Sequence, residues 1–121
     1  MRELKKGSLG LLVMRLLHER PSYGYELCER LRERTDGTLT FEDGAMYPLL
    51  HAFERDGLAE GYWEAEGATD DAERRGPRRR YYRLTARGVA ALREASLEWL
   101  SFARAVGQVL DGPAVLGKEG E

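Results

Sequence analysis

The 121-residue chain is short of several things, and each shortage closes off a class of protein. It has one cysteine, Cys28, which excludes an internal disulfide and fits a reducing compartment. No uninterrupted apolar run exceeds four residues, as in "LLVM" at 11–14, far below the roughly 20 needed to span a bilayer. The chain does not open on the pattern of an export signal, so a cytoplasmic location and no membrane partner are expected. Its two histidines, His18 and His51, fall in different segments with no ligand-spaced neighbours, so neither a metal nor a cofactor is expected. No nucleophile–base context and no phosphate-cradling glycine motif is present, which argues against an enzyme. An excess of one charge is also missing. With 19 basic and 21 acidic residues the net charge is -2, neutral on the question of nucleic acid.

What is present is enough for one folded domain: 42% apolar and 33% charged residues, over a length that supports a single core. Leu9, Leu12, Val13, Leu16 and Leu17 recur at helical spacing, so a first helix is expected from about Leu4 or Ser8 to Glu19, ended by Pro21. A second helix follows in "SYGYELCERLRERTDG", with Ser22 as its candidate N-cap, Gly24, Leu27, Cys28 and Leu31 on one face, and Gly37 as its stop. "TLTF" at 38–41 is short and β-prone. "EDGAMYPLLHAFERDGL" at 42–58 carries Met46, Leu49, Leu50 and Phe53 at helical spacing and closes on Gly57.

After Gly57 the period changes. "LAEGYWEA" and "RRRYYRLT" alternate and are rich in aromatics, as paired strands should be. "EGATDDAERRGP" between them reads as a loop. Thr85 then caps a last helix of about Ala86 to Leu110, and the Gly- and Pro-containing end forms a tail. The expected fold is α+β but mainly α. A winged helix-turn-helix domain (1–84) is followed by a long C-terminal dimerisation helix (85–110) and a flexible tail (111–121).

The proline of the third helix poses a local question. Pro48 removes a bond to the carbonyl of Gly44 if the helix begins before it, and Gly44, lacking a side chain, would then ease the clash. If the helix begins at Pro48 instead, proline is in a favoured place. Both starts leave Tyr47 exposed at the end that a recognition helix points into the major groove. Tyr47 can donate or accept there, and Ala45 offers a methyl suited to thymine. The same helix carries Glu42, Asp43, Glu54 and Asp56 against Arg55, so attraction to phosphates must come from elsewhere.

The candidates for that attraction lie near the start and at the wing. Between Gly57 and Glu73 all charged residues are acids, and between Arg74 and Arg83 all are arginines, a local electrostatic feature. Those arginines either track phosphates or pair with the acids beside them. The DNA-facing candidates are Lys5, Lys6, Tyr23, Glu42, Asp43, Gly44, Ala45, Tyr47, Arg78, Arg79 and Arg80. In the last helix, Leu92, Trp99 and Val106 share one heptad position and Ala95, Phe102 and Val109 the other. This is a seam for a second copy of the same helix. Trp99, with Phe102, could wall an aromatic cleft for a flat effector, or Trp99 could serve as packing alone. Trp63 is expected to be structural.

The pieces "LKKGSLGLLVMRLL", "SYGYELCERL", "GAMYPLLHAFERDGL" and "RRRYYRLTARGVAAL" together resemble the PadR family of bacterial transcriptional regulators, in family order from residue 4 to about 110. The resemblance implies a homodimeric winged-helix repressor of detoxification, efflux or stress genes, bound to a palindromic double-stranded operator. In some members it is released by a small effector. It also implies the smaller subgroup, in which one C-terminal helix makes the dimer. Tyr47 falls in the family's Tyr-Pro motif, and Trp99, in "SLEWLSF", matches a tryptophan of drug-responsive members. Glu42 stands where a small capping residue is usual, and the wing insertion "GATDDAERRGP" is longer than usual. The competing expectation is a winged-helix protein–protein adaptor, drawn from the acidic third helix and the near-neutral charge.

Overall fold

The computed structural model describes residues 2–65 and 78–111, apart from the side chains of residues 2–7 and 43. The elements run α1 (Arg2–Glu19), β1 (Ser22–Tyr23), α2 (Gly24–Arg34), α3 (Asp43–Arg55), β2 (Ala59–Trp63), β3 (Arg80–Leu84) and α4 (Ala86–Leu110). No helix among the described residues is long and apolar enough to cross a membrane. The loop expected at 66–77, with Arg74 and Arg75, and nearly all of the expected tail lie outside the described residues.

The helix ends follow local chemistry. In α3, the Gly57 N–H donates to Glu54 O at 3.1 Å and the Leu58 N–H to Phe53 O at 2.8 Å. Gly57 itself sits at φ 77°, the left-handed stop that glycine adopts without penalty. In α2 the same closure is made with Asp36 at φ 51°, and Gly37 donates to Arg32 O at 2.8 Å. Thr85 caps α4 as expected. Its Oγ1 accepts from the Gly88 N–H at 3.0 Å and donates to Gly57 O at 2.7 Å, so one hydroxyl ties the end of α3 to the start of α4.

Two expectations are corrected. Ser22 is not the N-cap of α2; Tyr23 occupies that position without a side-chain bond. Ser22 is instead fully buried in β1, where its hydroxyl accepts from Arg30 Nη1 at 2.7 Å. "TLTF" forms no strand. The third strand of the sheet is Ser22–Tyr23, which pairs antiparallel with β3 (Ser22 with Tyr82, Tyr23 with Tyr81). β2 pairs with the other edge of β3, from Ala59 opposite Leu84 to Trp63 opposite Arg80, so the sheet order is β1-β3-β2.

The core gathers Val13, Leu16 and Leu17 of α1, Leu27 and Leu31 of α2, Met46, Leu50 and Phe53 of α3, Ala59, Tyr82 and Leu92. Each fully buried large aliphatic contributes about 1.5–3 kcal/mol relative to exposure. The core clamps the helix-turn-helix pair against the sheet and leaves the start of α3 outside.

Candidate nucleic-acid interface

α3 begins at Asp43, with Glu42 as an N-cap that supplies no side-chain bond. Pro48 therefore lies inside the helix, in its second turn, and the alternative start at Pro48 is excluded. A methyl placed at Gly44 would meet nothing within 4 Å, so the space around this position is open. What the small residues do is leave the helix start bare. Glu42, Gly44, Ala45, Tyr47 and Pro48 are all exposed, while Met46 and Leu50 on the opposite face are buried.

Tyr47 is 45% exposed. Its ring is seated on the first residue of α2: a Cβ at Gly24 would stand 2.9 Å from Tyr47 Cζ. The glycine of "SYGYE" thus permits the close approach that holds Tyr47 at the surface. Tyr23, just before it, stacks edge-on with Tyr81 at 5.3 Å between centroids and carries the Arg79 guanidinium 4.5 Å above its ring.

The wing arginines divide into two kinds. Arg80 is held within the protomer. Its Nη2 donates to Glu54 Oε2 at 2.9 Å, and its guanidinium lies over Trp63 at 5.2 Å and Tyr82 at 5.7 Å. Gly61 makes room for this pair, since a Cβ there would sit 2.6 Å from Arg80 Nη2. Arg80 thus braces β3 against α3 and its charge is met by Glu54. Arg83 pairs across the hairpin with Glu60 at 3.0 Å. Arg78 donates to the Glu64 carbonyl at 3.4 Å. Neither Arg78 nor Arg79 has a carboxylate partner among the described residues.

Between α3 and the hairpin these groups frame an open-sided cleft of about 370 Å³, lined by Tyr23, Tyr47, His51, Trp63, Arg78, Arg79, Arg80 and Tyr82. Trp63 is 53% exposed and carries the Arg80 guanidinium over its ring. It forms a wall of the cleft. Tyr82 is fully buried, with its hydroxyl near the Arg80 guanidinium. Burial pushes its pKa up, against the opposing pull of the nearby Arg80 guanidinium. His51, Trp63 and Tyr82 were not legible as one group. Register and a helix packed across the sheet bring them together, and neither is a pattern in the chain.

The remaining candidates fall elsewhere. Lys5 and Lys6 lie on α1, and their side chains, like that of Asp43, are outside the described residues. On α4, Leu92 is 5% exposed and belongs to the protomer's own core, so it is not available to a second copy and leaves the seam. Ala95 is half-buried. Trp99, Phe102, Val106 and Val109 are exposed, Val109 by 85%, and the Trp99 indole N–H donates to Ser8 Oγ at 3.2 Å. Leu97 and Leu100, which the heptad pattern omits, are also exposed.

Comparison with known proteins joins these features. A family profile described as "Transcriptional regulator PadR-like family" matches residues 13–94. A PadR family transcriptional regulator from Eggerthella lenta has a solved structure with a TM-score of 0.72 and 33% identity, covering 90% of this chain and 87% of that one. A PadR-like transcriptional regulator from Bacillus cereus gives 0.74 at 28% identity, over 91% and 98% of the two chains. A transcriptional regulator from Clostridium thermocellum reaches 0.77 over 89% and 95%; at 24% identity it speaks for the fold alone.

Proposed function

Since the chain belongs to the PadR-like family of transcriptional regulators, we propose that it acts as a homodimeric repressor that reads a palindromic operator. The observation that carries this reading is the pairing of the exposed Tyr47 end of α3 with two guanidiniums, Arg78 and Arg79, that no carboxylate among the described residues neutralises. The helix start supplies base-edge contacts through Tyr47 and Ala45. The arginines supply the phosphate attraction that the acidic α3 lacks. A C-terminal seam of Trp99, Phe102, Val106 and Val109 sets the spacing of two such ends. Lys5, Lys6 and Tyr23 are further phosphate contacts in this reading, and Asp43, Gly44 and Glu42 line the groove edge.

The test is binding to the DNA upstream of the chain's own gene over a range of salt concentrations. Specific binding with a steep salt slope is expected. Arg79→Ala should weaken it across sequences and reduce the slope by about one per protomer. Absence of any preference over bulk DNA would refute the reading. The effector arm is separate: a small planar aromatic compound stacked on Trp99 and Phe102 would quench Trp99 fluorescence and release the operator, and Trp99→Ala would abolish both responses.

A further inference from the structure

Duplex grooves receive side chains that protrude from a protein, whereas a concavity on the protein receives a group that protrudes from its ligand. The cleft between α3 and the hairpin is of the second kind, and operator reading does not call for it. Its volume of about 370 Å³ lies within the roughly 300–1,000 Å³ span of small-molecule sites. Three walls are aromatic and partly exposed: Tyr23, Tyr47 and Trp63. Of the three arginines, Arg80 is paired with Glu54, while Arg78 and Arg79 meet no carboxylate among the described residues, Arg79 lying over one face of the Tyr23 ring.

A simple anion would need only the two cations, and an uncharged ring would need only the walls. Aromatic rings beside guanidiniums that no described carboxylate meets are the chemistry that holds an unpaired base together with its phosphate. We propose that this cleft is a nucleotide site, with one unpaired base among Tyr23, Tyr47 and Trp63 and its phosphate on Arg78 and Arg79. Tyr47 and Arg79 also serve the duplex in the reading above, on which this part of the inference rests. Occupancy of the cleft and duplex docking therefore exclude each other.

The full chain is titrated with a nucleoside monophosphate, the matching nucleoside, and inorganic phosphate, by equilibrium dialysis and by tryptophan fluorescence. The monophosphate should bind saturably and at least about tenfold more tightly than either half alone, and should displace a labelled duplex. The quenching it causes should vanish in Trp63→Phe although Trp99 remains. The double change Arg78→Gln, Arg79→Gln should weaken the monophosphate by a similar factor with an unchanged circular dichroism spectrum. A short unpaired oligonucleotide that displaces the monophosphate assigns the source to a strand; failure to displace it assigns a free nucleotide. Inorganic phosphate binding as tightly as the monophosphate, quenching that survives in Trp63→Phe, or no saturable binding would each overturn the proposal. Duplex binding without monophosphate binding sinks the cleft alone, and loss of both sinks the regulator reading with it.

Discussion

Single residues decide how closely the pieces of this chain approach. Gly88, at the start of α4, is the extreme case: a Cβ there would lie 2.1 Å from the Leu58 carbonyl oxygen and 2.7 Å from the Leu84 side chain. The carbonyl is backbone already bonded to the Thr85 N–H at 3.0 Å, so it cannot yield cheaply. Gly88→Ala should cost about 3 kcal/mol, read as a lowered denaturation midpoint, while Gly107→Ala, where nothing lies within 4 Å, should be neutral or stabilising. Thr85 and Gly57 were legible as cap and stop because each acts on backbone within a turn of itself. Gly24, Gly61 and Gly88 were not, because each is shaped by a side chain or carbonyl from a distant segment.

At the scale of the element, α3 works with an imperfect start. Glu42 gives no capping bond and places a carboxylate where phosphates approach in the proposed docking. Glu42→Ser should stabilise the fold by about 0.5–1 kcal/mol by supplying the missing cap and should tighten DNA binding by removing a repulsive charge, checked by denaturation and by operator titration. The junction of α1 with α2 carries the pH response. Glu19 receives Arg34, Arg15 and Arg30, and the Arg34 hydrogen bond leads in lowering its pKa from 4.5 to about 2. A depressed carboxyl contributes stability that is complete above its unfolded value and is lost as pH falls toward about 2. Glu19→Gln should therefore destabilise near neutrality, by less than about 1 kcal/mol because Arg34 and Arg15 are largely exposed. The difference from the parent should shrink by about pH 3 and below.

At the scale of the whole molecule, α4 extends for roughly 37 Å and its first part is buried against the rest of the chain through Gly88 and Leu92, with Trp99 bonded to Ser8 further along. Beyond Ala95 it presents Trp99, Phe102, Val106, Val109 and Leu110 to solvent, together with Leu97 and Leu100. These exposed apolar side chains are the ground for the proposed dimer seam. Val106→Asp should convert a dimer to monomers in sedimentation without loss of helix content, and operator affinity should fall with it. A parent chain that already sediments as a monomer at working concentration would remove the premise. Leu92 shows why the seam read from heptads was one position too long: the repeat is continuous through it, but the body of the protomer covers that end of the helix first.

The chain by itself determined four helices, a hairpin, the caps at Thr85 and Gly57 and the exposed Tyr47 end, because period and capping are written within a few residues of where they act. Only the tertiary structure decided that Ser22–Tyr23 rather than 38–41 completes the sheet, that Arg80 is spent on Glu54 while Arg79 is not, and that Trp63 faces a cleft. The physical reason is distance along the chain. Arg80 and Glu54 are 26 residues apart, and a charge run looks the same whether its partner is a phosphate or a carboxylate brought in by another element.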